Sequence, residues 1–181
     1  MSKIKVSYTL FNYWNRNQTE DLINYYFKLK PFVPTEQMLA GQAWDELNNY
    51  EIANHKRMLP EFGGLKLKNP KAQQYVGVEY KDIWISTVLD VLDEPLLIEN
   101  KTGKTSPTAW LETDQVPMYM AVCSLRNIKI ERALLIRYNQ YEKYTDWATM
   151  YCTPELIKET LDMIEEKSNK IYEFLKGENL L

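Results

Sequence analysis

The sequence predicts an α/β (α+β) fold, a single domain over residues 1–181 with a central mixed β-sheet flanked by helices. The patterns run in the order helices, three strands, a helix, two strands and a final helix, which is typical of one mixed sheet with helical layers. A length of 181 residues suits one domain with a substantial core. The apolar run Leu96-Leu97-Ile98 is typical of a central strand buried on both faces.

The first third of the chain is predicted to be mostly helical. Residues 3–8 form a short strand or an extended segment, and residues 10–14 form an aromatic helical turn. Residues 20–29 have apolar side chains at helical spacing, and Pro31 and Pro34 are expected to end that helix. A third helix runs from residue 35 to about residue 53. The side chains expected to face the core from it are Met38, Leu39, Ala43, Leu47 and, as a further candidate, Tyr50.

The strands follow an irregular segment at residues 59–70, where prolines and paired glycines interrupt any periodicity. Residues 74–92 predict a hairpin around Lys81-Asp82, and residues 96–101 predict the next strand. A polar loop at 102–108 precedes a helix at 114–126, and strands at 128–138 and 146–152 form a second hairpin. Thr153-Pro154 begins a helix to residue 176. Its core-facing side chains are Leu156, Leu161, Ile164, Ile171 and Leu175.

Composition limits the classes of function. The formal net charge of −3 argues against a protein held to nucleic acid by bulk charge alone. No apolar run approaches the roughly 18 residues of a membrane span and the N-terminus has no signal-peptide pattern, so we expect a cytoplasmic protein without a membrane partner. Cys123 and Cys152 are expected to be reduced thiols, because they are far apart in the sequence and lack a Cys-x-x-Cys partner set. No iron–sulfur cluster is expected, because such a cluster needs about four cysteine ligands.

The candidate chemistry lies in three charged residues of the central strands. Asp90 lies in an apolar run, and Glu99 and Lys101 leave the following short strand as Glu-x-Lys. Glu99 and Lys101 share one face of that strand. Carboxylates bind hard cations such as Mg²⁺ or Mn²⁺, and a lysine can orient water or offset phosphate charge, as a metal-dependent phosphodiesterase site requires. The alternative is a same-face ion pair worth a few tenths of a kcal/mol, although burying charge without a purpose is costly.

Other polar residues have a structural alternative beside the functional one. Asp45 on the third helix is either a metal ligand or a solvated carboxylate, and His55 is expected to be a solvated surface residue. Gln115 and Tyr119 lie one helical turn apart and share a face, which is either catalytic or simply polar. Six cationic residues either form a rim that contacts DNA or are ordinary solvated surface residues: Lys56, Arg57, Lys66, Lys68, Lys71 and Lys104.

Read together, these motifs resemble the PD-(D/E)XK nuclease superfamily, and most closely its RecB-like exonuclease branch of phage exonucleases and small CRISPR-associated nucleases. Four pieces across residues 7–138 carry the resemblance. They are Ser-Tyr-Thr-Leu at 7–10 with Tyr-Tyr-Phe at 25–27, the Gly-x-x-x-Asp-Glu segment at 41–46, Asp90 with Glu-x-Lys-Thr-Gly at 99–103, and Gln115-x-x-x-Tyr119. Asp45 stands where the branch usually has histidine, and a carboxylate suits Mg²⁺ better than imidazole does.

The resemblance implies a restriction-endonuclease-like core and a metal-dependent DNA nuclease, an exonuclease in this branch. It implies that Asp90, Glu99, Asp45 and the backbone carbonyl of Asn100 hold Mg²⁺ or Mn²⁺, and that Lys101 acts on the attacking water. Gln115 and Tyr119 would then contact the site or DNA, and Lys104 would contact DNA. Some phage relatives form rings, so a homo-oligomer is left open.

Two other interpretations are kept. The first is a catalytically decayed nuclease fold that acts as a nucleic-acid-binding or assembly module. The second is an unrelated α/β binding domain, in which Asp90, Glu99 and Lys101 would lie scattered.

Overall fold

The structure is a computed structural model that describes residues 4–181, so Lys3, part of the strand predicted at 3–8, lies outside the described residues. Within that range the chain forms six α-helices and six strands, with a short 3-10 turn at Pro60–Phe62. The elements are β1 Ile4–Val6, α1 Tyr8–Asn15, α2 Thr19–Phe27, α3 Glu36–His55, β2 Lys71–Tyr80, β3 Ile83–Asp93, β4 Leu96–Thr102, α4 Pro107–Leu111, α5 Gln115–Leu125, β5 Arg132–Asn139, β6 Tyr144–Tyr151 and α6 Pro154–Gly177.

The six strands form one mixed sheet in the order β1-β3-β4-β5-β6, with β2 on the other edge of β3. β2 pairs antiparallel along almost the whole of β3. The opposite edge of β3 is shared, because β1 pairs with residues 83–85 and β4 pairs only with residues 91–93. Residues 86–90 therefore face a gap in the sheet, and β3 and β4 separate at the end of that gap.

Apolar clusters cover both faces of the sheet. The larger cluster packs α1, α2, α5 and α6 against one face, and Leu97 and Leu135 belong to it. The smaller cluster joins Ile52 of α3 and Phe62 of the 3-10 turn to the other face, where Ile98 lies. Alternate residues of β4 thus enter different clusters, which confirms the prediction of a central strand buried on both faces.

The last helix follows its sequence signals closely. The Thr153 hydroxyl accepts a hydrogen bond from the Leu156 amide at 3.1 Å, and Pro154 occupies the first helical position. Ile164, Ile171 and Leu175 are fully buried in the larger cluster, while Leu156 and Leu161 pack at its border. The predicted core face of α6 is confirmed. None of the helices in residues 4–181 combines the length and apolar character needed to cross a membrane.

The predicted core face of α3 is wrong. Met38, Leu39, Leu47 and Tyr50 are 45–63% exposed, and Ala43 is exposed too. The inward stripe instead contains Trp44, Asn48 and Ile52, spaced four residues apart. Asn48 is polar but is satisfied there, because its Oδ1 accepts a hydrogen bond from the Leu59 amide at 2.9 Å. A polar group with a tertiary partner cannot be recognised from apolar periodicity.

Two boundaries and one short helix also differ from the prediction. α2 ends at Phe27, because Lys28 adopts a left-handed conformation (φ 53°) before either proline is reached. The strand predicted at 128–138 begins at Arg132. α4 was not predicted, although Ser106 and Pro107 begin it with an N-cap hydroxyl and an N1 proline.

Candidate active site

The site lies at the fork where β3 and β4 separate. The β3–β4 ladder ends at Val91↔Ile98, and Asp90 and Glu99 are the next residue on each strand. Their carboxyl groups come within hydrogen-bonding reach of each other, and the Asn100 amide donates to Asp90 Oδ2 at 2.8 Å. The two predicted ligands, Asp90 and Glu99, meet because the strands stop pairing at this point.

The other edge of β3 is also irregular beside Asp90. Pairing with β2 continues at Ala72↔Val91 and Gln74↔Leu89 but omits Gln73 and Asp90. Gln73 has a φ of 49°, in the left-handed region, and its side chain bonds Asp90. The Asp90 carboxylate therefore receives bonds from both neighbouring strands, which hold it at the fork.

A buried hydrogen-bond network links the strand residues to α5. Glu99 Oε1 accepts from Lys101 Nζ at 2.5 Å and from Gln115 Nε2 at 2.6 Å. Gln115 Nε2 also donates to the Tyr119 hydroxyl at 2.7 Å. Glu99 is only 1% exposed, Gln115 and Tyr119 are 7% exposed, and Lys101 Nζ lies 4.8 Å from the centre of the Trp110 ring. α5 thus fixes the orientation of Glu99 through one glutamine.

α3 approaches the same end of β4. A Cβ on Gly41 would lie 3.1 Å from Thr102 Oγ1, so glycine permits close approach of the helix to the strand. Asp45 follows one helical turn later and is half-buried. The charges of Asp90 and Lys101 both act on its carboxyl group. The interpretation of Asp90, Glu99 and Lys101 as scattered residues of an unrelated domain is wrong, since they form one cluster with Asp45 beside it.

Electrostatics at the cluster disfavour three simultaneous negative charges. Burial and then the charge of Asp90 raise the pKa of Asp45 to about 7 and that of Glu99 to about 8. Burial likewise raises the pKa of Asp90, although Lys101 opposes the shift. Burial alone would lower the pKa of Lys101, but the charges of Glu99 and Asp90 outweigh it and raise that pKa, so Lys101 stays protonated.

The donor set fits a hard divalent cation. Glu99 Oε2 and Asn100 Oδ1 are buried and accept no hydrogen bond from the residues 4–181. The Glu99 carboxyl group lies beside that of Asp90, and two facing carboxylates need a shared proton or a cation between them. As the side chains stand, no three His, Cys, Asp or Glu groups of the described chain form a metal cage. Mg²⁺ commonly uses one or two carboxylates and keeps several waters, so Asp90 and Glu99 suffice for it.

An open cleft of about 440 Å³ leads to this network along the gap in the sheet. It is lined by Ser86, Thr87 and Val88 of β3 and reaches Lys101, Gln115 and Tyr119. Sequence reasoning gave no site role to several of its residues, which come from α1 and the residue after it, α2, β2 and α4: Tyr8, Asn12, Arg16, Tyr25, Tyr75 and Trp110. Arg16 and Lys101 are the cations of this lining. No local pattern marks Arg16, because its position depends on how α1 packs beside β3.

The remaining predicted residues lie outside the cleft lining. Lys104 is exposed, with Nζ 4.9 Å from the centre of the Tyr141 ring, and its carbonyl accepts from Arg137. His55 is exposed at the end of α3, as expected, near Glu51. The other cations of the predicted rim are all exposed and line a different part of the surface from the cleft: Lys56, Arg57, Lys66, Lys68 and Lys71. The DNA role of Lys104 stays a prediction.

No protein-family model and no curated protein sequence matches the chain. By structure it is similar to an alkaline exonuclease from Laribacter hongkongensis, with a TM-score of 0.54, 12% identity, and coverage of 97% of this chain and 93% of that one. The structure of the Laribacter exonuclease in complex with dAMP matches with a TM-score of 0.51, 12% identity and the same coverage. At this identity the likeness shows the fold. The predicted α/β architecture is confirmed, and its fold is shared with that exonuclease.

Proposed function

We propose that the protein is a Mg²⁺- or Mn²⁺-dependent deoxyribonuclease, an exonuclease that hydrolyses phosphodiester bonds. The observation that supports this most strongly is the meeting of Asp90, Glu99 and Lys101 at one fork of the sheet. The two carboxylates provide ligands for a metal ion, and the lysine beside them provides a positive charge for the phosphate. The shared fold with an exonuclease supports the same class of chemistry.

Each residue has a distinct role in the proposal. Asp90 and Glu99 hold the metal ion, with Asp45 and the Asn100 carbonyl as further ligands. When bound, the ion lowers the pKa of a coordinated water and polarises the scissile phosphate. Lys101, which stays protonated, positions that water and offsets the charge that develops on the phosphate. Gln115 orients Glu99 through its 2.6 Å bond, and Tyr119 in turn orients Gln115.

The alternative is a decayed nuclease scaffold, which Asp45 in the usual histidine position favours. The burial of an incompletely hydrogen-bonded carboxyl group argues against this alternative. Glu99 is 1% exposed, and its Oε2 accepts no hydrogen bond within residues 4–181. A buried carboxyl group without full satisfaction destabilises the fold, so a scaffold with no use for a cation would gain stability by losing it.

The decisive experiment combines binding and cleavage. The affinity of the protein for DNA is measured by titration in EDTA and then in Ca²⁺ at fixed ionic strength. Separately, the protein is incubated with end-labelled linear DNA, with circular DNA and with single-stranded DNA in the presence of Mn²⁺ or Mg²⁺. A divalent ion bound at the acidic cluster becomes the largest local cation, so affinity should be low in EDTA and rise sharply with Ca²⁺. Linear but not circular DNA should be degraded.

Equal DNA affinity in both conditions, with no cleavage and no Mn²⁺ binding, would favour the decayed scaffold. Degradation of circular DNA would instead identify an endonuclease.

A further inference from the structure

The cleft at Lys101 does not end at α1. Its wall at Ser7, Tyr25 and Ser86 is shared with a second, larger groove of about 1240 Å³, here called the N-terminal groove. Ser7 and Tyr25 are tied together by a hydrogen bond of 3.0 Å between their hydroxyl groups. The two spaces therefore form one continuous surface that begins at the candidate active site and passes Tyr25 into the N-terminal groove.

The N-terminal groove has a local excess of positive charge, in contrast to the acidic chain as a whole. Lys5, Lys28 and Lys30 line it, with Asp21 as the acidic residue of the lining. Lys30 pairs with Glu20 at 2.8 Å. Lys5 and Lys28 are exposed and form no ion pair with any of residues 4–181, so both ammonium groups are available to an anionic ligand. The groove is thus suited to a negatively charged chain.

The same groove presents aromatic rings to solvent. Tyr25 is 44% exposed and Phe32 is 66% exposed, and both line the groove. Tyr13 supports Tyr25 edge-on, with ring centroids 5.7 Å apart. Leu29 and Val33 extend this apolar surface with exposures of 62% and 79%. Aromatic faces beside free lysines are the features with which proteins bind single-stranded nucleic acid, by base stacking and backbone charge.

We propose that the N-terminal groove binds a single-stranded segment of the substrate next to the scissile phosphate. In this arrangement Lys5 and Lys28 contact backbone phosphates, and bases stack on Tyr25 and Phe32. A base must leave a duplex before it can stack on a side chain, which is why the segment is single-stranded. The inference rests on the proposed nuclease function, and it adds the substrate class: DNA ends with a single-stranded extension, or single strands.

Two double variants test the charge contribution in the Lys101→Ala background, so that DNA stays intact during titration. Each lysine–phosphate contact with a single strand contributes about 0.7 to the slope of log affinity against log salt. Lys5→Ala with Lys28→Ala should therefore reduce the slope for an oligo(dT) probe by about 1.4. Lys158→Ala with Lys176→Ala changes the net charge equally on α6 and should leave the slope unchanged.

Phe32→Ala tests stacking separately. The ring is largely exposed, so its removal should leave the fold intact, while affinity for oligo(dT) should fall about tenfold. Affinity for a blunt duplex should change little. Oligo(dT) and oligo(rU) probes used in parallel distinguish DNA from RNA, and either probe supports the groove if both sets of variants weaken its binding.

The outcomes separate this inference from the proposed function. If the otherwise unaltered chain cleaves DNA with Mn²⁺ but the groove variants bind oligo(dT) normally, the proposed role of the groove is wrong and the proposed nuclease function is supported. If the groove variants lose oligo(dT) binding but no DNA is cleaved with any metal ion, the proposed role of the groove is supported and the proposed nuclease function is wrong. Concentration-dependent dimerisation that Phe32→Ala abolishes, without any effect on oligo(dT), would show that a second copy occupies the groove and would overturn the proposal.

Discussion

The Asn100 amide donates a hydrogen bond to Asp90 Oδ2 at 2.8 Å, at the point where β3 and β4 cease to pair. The Asp90 side chain thus accepts a hydrogen bond from a β4 amide where the backbone ladder has ended, and it also belongs to the candidate metal site. The structural role of Asp90 and its proposed chemical role can be separated by choosing substitutions that remove only one of them.

Asp90→Asn keeps an oxygen that accepts from Asn100, whereas Asp90→Ala leaves that amide without an acceptor. Both variants should lose Mn²⁺-dependent cleavage. Asp90→Ala should also have a free energy of unfolding lower than that of Asp90→Asn by about 1–3 kcal/mol. Urea denaturation and Mn²⁺ calorimetry measure the two effects. Equal stabilities would show that the Asn100 bond contributes nothing to the fold.

Removing either charged residue of the Glu-x-Lys pair should abolish hydrolysis. Glu99→Ala deletes a proposed metal ligand, and Lys101→Ala deletes the ammonium group that bonds Glu99 at 2.5 Å. Circular dichroism should report an intact fold for both. Glu155→Ala and Lys158→Ala make the same charge changes at exposed positions of α6 and serve as controls. A Glu99 or Lys101 variant that cleaves DNA at nearly the original rate would refute the assignment.

Gln115 is expected to act by positioning Glu99. Gln115→Ala removes the 2.6 Å bond to Glu99 Oε1, and it should lower Mn²⁺ affinity and cleavage by roughly 10- to 100-fold, as losses of supporting bonds around metal ligands do. Tyr119→Phe leaves that bond in place and removes the hydroxyl contact to Gln115, so its effect should be smaller. The idea fails if Tyr119→Phe lowers Mn²⁺ affinity more than Gln115→Ala does.

Asp45 is expected to be a metal ligand in the position usually held by histidine. Asp45→Ala should weaken Mn²⁺ binding by roughly 10- to 100-fold or more, while Asp45→His should retain Mn²⁺-supported cleavage. Glu46→Ala is the matched control, because Glu46 is the adjacent, exposed carboxylate of α3. Unchanged Mn²⁺ affinity in Asp45→Ala would place Asp45 outside the coordination sphere.

The acidic cluster should make the metal-free protein less stable as pH rises. In unfolded chains the Asp and Glu pKa values are near 4, whereas folding raises the pKa of Asp45 to about 7 and that of Glu99 to about 8. The folded state therefore holds these protons more tightly. Their contribution to stability is complete below about pH 4 and is lost as pH rises through about 7 to 8.

Thermal unfolding in EDTA should show Tm falling across this range. Ca²⁺ should raise Tm more at about pH 9 than at about pH 5, because it neutralises carboxylates that are ionised only at the higher pH. Asp45→Asn should remove part of the decline. A Ca²⁺ effect that is equal at both pH values would contradict the predicted coupling.

Local sequence patterns predicted the types of most elements and the polar residues of the candidate strand. Alternation with a period of two placed Glu99 and Lys101 on one face of β4, and the structure confirms that they bond each other. Thr153-Pro154 defined the start of α6. These features are local, because each depends on residues only a few positions apart whose relative directions follow from backbone geometry.

The residues that surround that strand depend on contacts between distant elements. The end of the β3–β4 ladder brings Asp90 to Glu99, and the contact of Gly41 with Thr102 brings α3 over the site. The inward stripe of α3 was misjudged because Asn48 is satisfied by a backbone amide eleven residues away. Arg16 and Phe32 acquire their places from the packing of α1, α2 and the segment after them. Such contacts depend on how distant elements pack, and the free energy of packing is not encoded in any local period.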